Sequence, residues 1–248
     1  MAQECELVSL KVFRQIQGAA VTSSSAVMAA IEYILREVNT NRQNLRIHGV
    51  NLSLGGEFDV ESFNCGYTPL CVELRRLWRQ GVVVVIAAGN EGFASLSTSD
   101  GDAIQANMGM SLGDPGNLED AIVVGSVHKE KPHTYGTSFF SSRGPTADGR
   151  MKPDCVAPGE RILSVRNDAR TLGADATIED LYTEMSGTSM AAPHVSGLIA
   201  AFLSKRQEFI GRPDDVKEIL LKNCTDLGRQ RNMQGAGMPN LVKMLVNV

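Results

Sequence analysis

Ser189 stands where a hydroxyl could do chemistry. It lies in Ser186-Gly187-Thr188-Ser189-Met190-Ala191-Ala192-Pro193-His194-Val195-Ser196-Gly197-Leu198-Ile199-Ala200-Ala201-Phe202-Leu203-Ser204. The first residues are small and turn-prone, and the later ones are apolar with almost no charge. This is the pattern of a loop that delivers a helix into a core. Pro193 is expected in the first helical turn, where a missing N–H costs little. Gly197, Ala200 and Ala201 let neighbouring backbones approach. Ser189 is therefore expected at a helix start, among N–H groups without intrahelical partners and at the positive end of the dipole. A serine there can attack a carbonyl carbon and have the developing negative charge stabilised. It can equally be an ordinary N-cap, the commoner use of serine before a helix.

Two further groups bear on that chemistry. Ala87-Ala88-Gly89-Asn90 follows the unbroken apolar run Val82 to Ile86, and the side-chain N–H of Asn90 can donate to an oxyanion. Gly-Asn after a strand is also a common turn. Ser53-Leu54-Gly55-Gly56 ends the segment Ile47 to Leu54. The glycines let backbone approach a ligand, or simply turn the chain.

Gly187-Thr188-Ser189-Met190-Ala191-Ala192-Pro193-His194-Val195 resembles the nucleophile motif of the subtilisin-like serine proteases, the subtilases. Ala87-Ala88-Gly89-Asn90 resembles their oxyanion-asparagine motif. Ser53-Leu54-Gly55-Gly56 resembles the segment that walls the pocket for the residue before the scissile bond and pairs with extended substrate. Ser141 to Pro145 and Lys152 to Gly159 also look like subtilase segments, of scaffolding character. The resemblance runs from about Glu6 to the last helix. It implies a serine endopeptidase with Ser189 and Asn90 as catalytic residues. It further implies that Ser53, Leu54, Gly55, Ala88, Gly89 and Thr188 bind a polypeptide substrate. Calcium is common in the family, but no residue here can be assigned to it, so no cofactor and no metal ligand is named.

Acyl transfer by serine also needs a base and an acid to orient it. Subtilases carry these in the order Asp, His, Ser. The His-Gly-Thr type motif and the aspartate motif are both missing here. The four histidines are His48, His128, His133 and His194. His48 falls in an expected strand, and His128 and His133 fall in a polar turn. His194 lies five residues after Ser189 on the same helix, so none is a good base. Asp154, in Lys152-Pro153-Asp154, is a poor triad acid. Met1-Ala2-Gln3 resembles the segment just ahead of the strand that follows those motifs in intact relatives. The expectation is a subtilase domain spanning residues 1–248, N-terminally truncated and inactive alone, with the missing N-terminal segment as a partner. The alternative is a non-catalytic peptide-binding module. An α/β-hydrolase esterase, loosely echoed by Gly187-Thr188-Ser189-Met190-Ala191, needs a histidine well after the serine, and none follows His194. A dinucleotide-binding enzyme needs Gly-x-Gly-x-x-Gly after a strand, and none is present.

Elements that could position these residues can be read along the chain. Glu6 to Phe13 reads as a strand, rich in β-branched and aromatic residues. Ser23 to Ser25 offer an N-cap to a helix with Val27, Ile31, Ile34 and Val38 on one face. Ile47 to Leu54 reads as a strand. Thr68-Pro69 opens a helix that buries Leu70, Leu74, Leu77 and Trp78 and stops at Gly81. Val82 to Ile86 reads as a strand buried on both faces. Glu91 to Glu119 reads as one long loop. Strands follow at Ala121 to Val127 and Ile162 to Val165. Lys152 to Gly159 brackets a short extended piece, Pro213 opens a helix and Pro239 a last one. Alternating strand and helix give an α/β fold, a doubly wound and mostly parallel sheet with helices on both faces. Ligands bind such sheets at the carboxyl ends of strands, where Gly55-Gly56 and Gly89-Asn90 fall.

Composition bounds the remainder. With 248 residues, 43% hydrophobic and 21% charged, the chain can bury a sizeable core. A net charge of −4 gives no reason to expect nucleic acid or an anionic membrane as partner. No apolar run reaches the roughly 20 residues needed to cross a bilayer. No basic region followed by an apolar core marks a signal peptide, so the compartment stays open, although family members are often secreted. Five scattered cysteines argue against a disulfide framework, though Cys65 and Cys71 are close enough in sequence to pair.

Overall fold

The computed structural model describes residues 2–56, 65–97, 103–168, 173 and 176–248. The chain opens with a short hairpin, β1 (Arg14–Ile16) and β2 (Ala19–Val21), followed by α1 (Ser24–Tyr33). Strand β3 (Gly49–Leu52), helix α2 (Pro69–Gln80) and strand β4 (Val83–Ala87) come next. A second hairpin, β5 (Phe93–Ser97) and β6 (Ala103–Asn107), precedes β7 (Ile122–Val127) and the short α3 (Pro132–Tyr135). β8 (Cys155–Pro158) leads to a ribbon of β9 (Ile162–Val165) and β10 (Tyr182–Met185), and then to the long α4 (Thr188–Lys205). The chain continues through α5 (Pro213–Lys222), β11 (Cys224–Thr225), α6 (Arg231–Gln234), β12 (Met238–Pro239) and α7 (Leu241–Val246).

The central sheet has the order β3-β4-β7-β8, parallel throughout. Every residue of β4 and β7 is buried. Successive side chains of a strand point to opposite faces, so both faces of the sheet centre are covered. α4 lies across all four strands, α2 lies on β4, and α1 packs on α2. This is the α/β architecture that the alternating pattern predicts.

The helix ends follow local chemistry. The Ser23 hydroxyl accepts from the Ala26 N–H at 3.3 Å and caps α1. Pro69 sits in the first turn of α2, and Gly81 ends it with φ 111°, a left-handed value suited to glycine. Gly81 also lies against Gly211, so a β-carbon there would fall 2.9 Å from Gly211 Cα.

Several expectations are corrected. Glu6 to Phe13 is not a strand. It has no sheet partner among the described residues, and Leu7 is 89% exposed. Only Leu10 and Val12 of this segment rest against the core. β-propensity marks the segment, but a strand needs a ladder of hydrogen bonds that propensity cannot supply. The expected loop Glu91 to Glu119 contains the β5–β6 hairpin, in register Phe93 to Asn107. Its residues 98–102 lie outside the described residues. Pro193 is not in the first turn but inside α4. Pro239 belongs to β12, and Asn240 caps α7 by accepting from the Lys243 N–H at 3.1 Å. Cys65 and Cys71 are not paired, and all five cysteines are free. The extended piece after Lys152 is β8, the fourth strand of the central sheet.

β8 is anchored by a buried ionic cluster that the sequence did not announce. Asp154 accepts from the Lys152 ammonium at 2.6 Å and the Val123 N–H at 2.7 Å, and pairs with Lys217 at 3.1 Å. Burial pushes the Lys152 ammonium down to about 8. Burial also works against the Asp154 carboxylate, but the charges of Lys152 and Lys217 outweigh it and hold its pKa below the usual value. Asp154→Ala leaves two lysines facing a gap. Removing one partner of a buried pair costs roughly 3–5 kcal/mol, so urea unfolding of this variant is expected to shift by that much. Because the folded-state pKa of Asp154 is depressed, its contribution is complete above the ordinary carboxylate range. It is lost as pH falls through the folded value. A urea midpoint that does not move between pH 6 and pH 3 contradicts this.

Candidate active site

The site lies at the carboxyl ends of β3 and β4, under the start of α4. β4 runs out into Ala88, which is buried, and then Gly89 and Asn90. Gly89 has φ 103°, and a β-carbon there would fall 2.4 Å from Glu91 Oε2 and 2.8 Å from Ser142 Oγ. Only glycine suits that turn. Ser142 holds the turn from behind. Its N–H donates to Gly89 O at 3.0 Å, and its hydroxyl accepts from the Glu91 N–H at 3.0 Å and donates to Glu91 Oε2 at 2.8 Å.

Thr188, at the first position of α4, locks this turn to the helix. Its N–H donates to Asn90 Oδ1 at 2.9 Å, and its hydroxyl accepts from the Gly89 N–H at 3.1 Å. Asn90 Oδ1 is thereby fixed, and Asn90 Nδ2 has no hydrogen-bond partner among the described residues. A free amide donor next to a helix N-terminus suits an anion. Ser189 is the second residue of α4 and half-buried. Its backbone N–H belongs to the first turn, where helix geometry supplies no acceptor.

The opposite side of the site is β3 and its extension. The Ser189 hydroxyl donates to Ser53 O at 3.1 Å, and the Ser53 hydroxyl donates to Ser189 O at 2.8 Å. Leu54 is half-buried, and Gly55 and Gly56 are exposed. The Gly56 N–H donates to Asp114 O at 3.0 Å, which ties this wall to the segment before β7. A β-carbon on Gly55 would meet nothing within 4 Å, so Gly55 faces open space. The structure thus brings together Ser53, Leu54, Gly55, Ala88, Gly89, Asn90, Thr188 and Ser189.

No imidazole partners Ser189. His194 Nδ1 is 2.8 Å from Met190 O on its own helix. His128 Nδ1 accepts from the Glu130 and Lys131 N–H groups at 3.3 Å and 3.2 Å, and its ring rests on Tyr135. His48 and His133 are exposed. Asp154 is spent on Lys152 and Lys217. Among the described residues no group of three or more His, Cys, Asp or Glu could hold a metal ion. No helix among them is long and apolar enough to cross a membrane.

The Ser142 end of the Ser142–Glu91 strut lies within Ser141 to Pro145, a segment whose sequence points to scaffolding but not to this contact. Its signal was the adjacent pair of small hydroxyl residues before Arg143-Gly144-Pro145.

Comparison with known proteins places the chain in a family. The chain is 32% identical over 250 residues to the serine protease AprX of Bacillus subtilis (strain 168), covering 96% of this chain and 51% of AprX. It is 34% identical over 229 residues to Pyrolysin of Pyrococcus furiosus, covering 78% of this chain and 14% of Pyrolysin. The chain therefore spans about half the length of the first relative and far less of the second. Among solved structures, the Clostridium perfringens CspB protease superposes with a TM-score of 0.66. It is 19% identical, with 92% of this chain and 72% of that chain covered, and this likeness shows the fold. The profile of peptidase S8, the subtilase family, matches residues 1–238. The chain belongs to the subtilase family.

Proposed function

We propose that this chain is the part of a serine endopeptidase that carries the nucleophile and the oxyanion donors. The observation that carries this reading is the free Nδ2 of Asn90, held beside the start of α4 by the Thr188 N–H bond to Oδ1, with the Thr188 hydroxyl proton shared between Oδ1 and Gly89 O, each 3.2 Å away. A turn residue has no need of such a fastening, whereas a preorganised donor does. In this reading Ser189 Oγ attacks the scissile carbonyl carbon. The oxyanion is held by Asn90 Nδ2 and the Ser189 N–H. The C–N bond then breaks, the amine leaves with a proton, and water hydrolyses the acyl ester.

Extended substrate runs along Ser53-Leu54-Gly55, with Ala88, Gly89 and Thr188 lining the other side. Among the described residues no side chain is placed to accept the proton. The Ser189 hydroxyl rests on a neutral amide carbonyl, which is far too weak a base to take it. The base and its orienting acid come from residues outside this sequence, in an Asp- and His-bearing segment of the type the family resemblance implies. The test joins such a segment, taken from AprX, to this chain and follows cleavage of a chromogenic peptide with and without Ser189→Ala.

Gly55 separates binding from folding. Its β-carbon position is open, so Gly55→Ala is expected to leave the melting temperature within about 2 °C of wild type, as a surface change does. Peptide affinity, measured by fluorescence anisotropy, is expected to fall because the new methyl projects into the cleft. Unchanged affinity removes Gly55 from the substrate wall.

A further inference from the structure

Pro193 creates a vacancy that the chain fills in an unusual way. It lies four residues after Ser189 inside α4 and has no N–H. Ser189 O therefore lacks the donor that an α-helix normally provides. The Ser53 hydroxyl supplies it instead, at 2.8 Å, from a different element of the fold. The Ser53 oxygen in turn accepts from Asn51 Nδ2 at 2.8 Å, and Asn51 Oδ1 accepts from the Ser196 hydroxyl at 2.9 Å. All three bonds run in one direction, from Ser196 through Asn51 and Ser53 to Ser189. Chains of this kind polarise one another and strengthen.

We propose that Asn51 and Ser196 are positioning residues for Ser189, acting through the Ser53 hydroxyl. This rests on the reading of Ser189 as the nucleophile. Asn51 is exposed on the edge strand β3, where asparagine is a poor strand former, so propensity does not explain it. Ser196 is half-buried in α4, and its hydroxyl reaches Asn51 at a shorter distance than Ala192 O, which is 3.2 Å away. What Asn51 contributes is a donor. With its oxygen occupied by the Asn51 amide, Ser53 has one proton to place, and it goes to Ser189 O. The first turn of α4, and with it the Ser189 hydroxyl that returns a bond to Ser53 O, is held in register with β3.

Asn51→Asp separates this role from simple packing. It keeps the shape and the acceptor for Ser196, but turns the donor to Ser53 into an acceptor. Ser53 then donates to the new carboxylate and releases Ser189 O. In the 248-residue chain as it stands, hydrogen exchange followed by mass spectrometry reads the amides of residues 194–197. Exchange is expected to quicken roughly 5- to 10-fold in Asn51→Asp and in Ser53→Ala, the worth of one neutral hydrogen bond. The double variant is expected to show no further change, Ser196→Ala a smaller change of the same sign, and residues 199–203 none. Wild-type exchange in Asn51→Asp, or quickening spread evenly along α4, overturns the proposal. In the protein completed with the Asp- and His-bearing segment, Asn51→Asp is expected to lower kcat by about tenfold with KM unchanged. An unchanged kcat in an active completed protein also overturns it. If the completed protein hydrolyses nothing, the nucleophile reading fails, while exchange still decides whether Asn51 holds Ser189.

Discussion

The chain by itself is expected to leave a chromogenic peptide uncut at concentrations where the completed protein turns it over, and Ser189→Ala is expected to return the completed protein to that baseline. The argument is one of proton accounting. Attack by a serine requires that its proton leave as the C–O bond forms. Here the proton is directed at Ser53 O, and the four imidazoles are engaged on their own elements or exposed. In subtilisin, losing the histidine alone costs about as much as losing the whole triad, about 2 × 10⁶ in kcat. A factor of that order is expected between this chain alone and the completed protein. A serine-directed phosphonate is expected to label Ser189 only after completion. Robust cleavage by the chain alone, abolished by Ser189→Ala, would show that one of the histidines moves into reach. A completed protein that folds, binds peptide and neither cleaves it nor takes the label would leave a peptide-binding module as the better reading.

How much of this was legible in the sequence varied with how local the cause was. The start of α1, the Pro69 opening of α2 and its Gly81 stop are decided within a few residues, and the expectations for them hold. So does β4, whose unbroken apolar run announces burial on both faces. Glu6 to Phe13 has the composition of a strand and no ladder, because pairing is a property of two segments and the sequence shows only one of them. The β5–β6 hairpin was hidden for the opposite reason. Phe93 to Asn107 is rich in Ser, Gly and Asp, and a two-stranded ribbon needs no buried face to declare it.

The site shows the same division. Ser189, Asn90 and the Ser53-Leu54-Gly55 wall stood out as short motifs, and the structure gathers them in one place. The Ser196-Asn51-Ser53 bonds did not stand out, since Asn51 and Ser196 are far apart in sequence and meet only because α4 lies across β3. Pro193 was visible but misplaced. A proline near a helix start suggests the first turn, and only the observed start at Thr188 shows that its missing N–H falls on Ser189 O.

Asn90→Ala in the completed protein is expected to lower kcat by about 10²–10³ and to leave KM nearly unchanged. The magnitude is that of one oxyanion donor, about 2.7–4 kcal/mol of transition-state stabilisation. It falls on kcat because the donor meets full negative charge only after attack, when the carbonyl oxygen has become an oxyanion. Asn90 has two separable jobs in the structure. Oδ1 takes the Thr188 N–H and ties β4 to α4, while Nδ2 stays free. Asn90→Asp separates them, since it keeps an oxygen for Thr188 and replaces the donor with an acceptor that repels the oxyanion. If Asn90 matters only as a tie, the aspartate variant should restore wild-type kcat where alanine does not. If Nδ2 is the donor, Asn90→Asp must be at least as slow as Asn90→Ala, with the Thr188 contact and the melting temperature preserved. Steady-state kinetics on the two variants, beside a melt of each, decides between a fastened turn and a preorganised oxyanion donor.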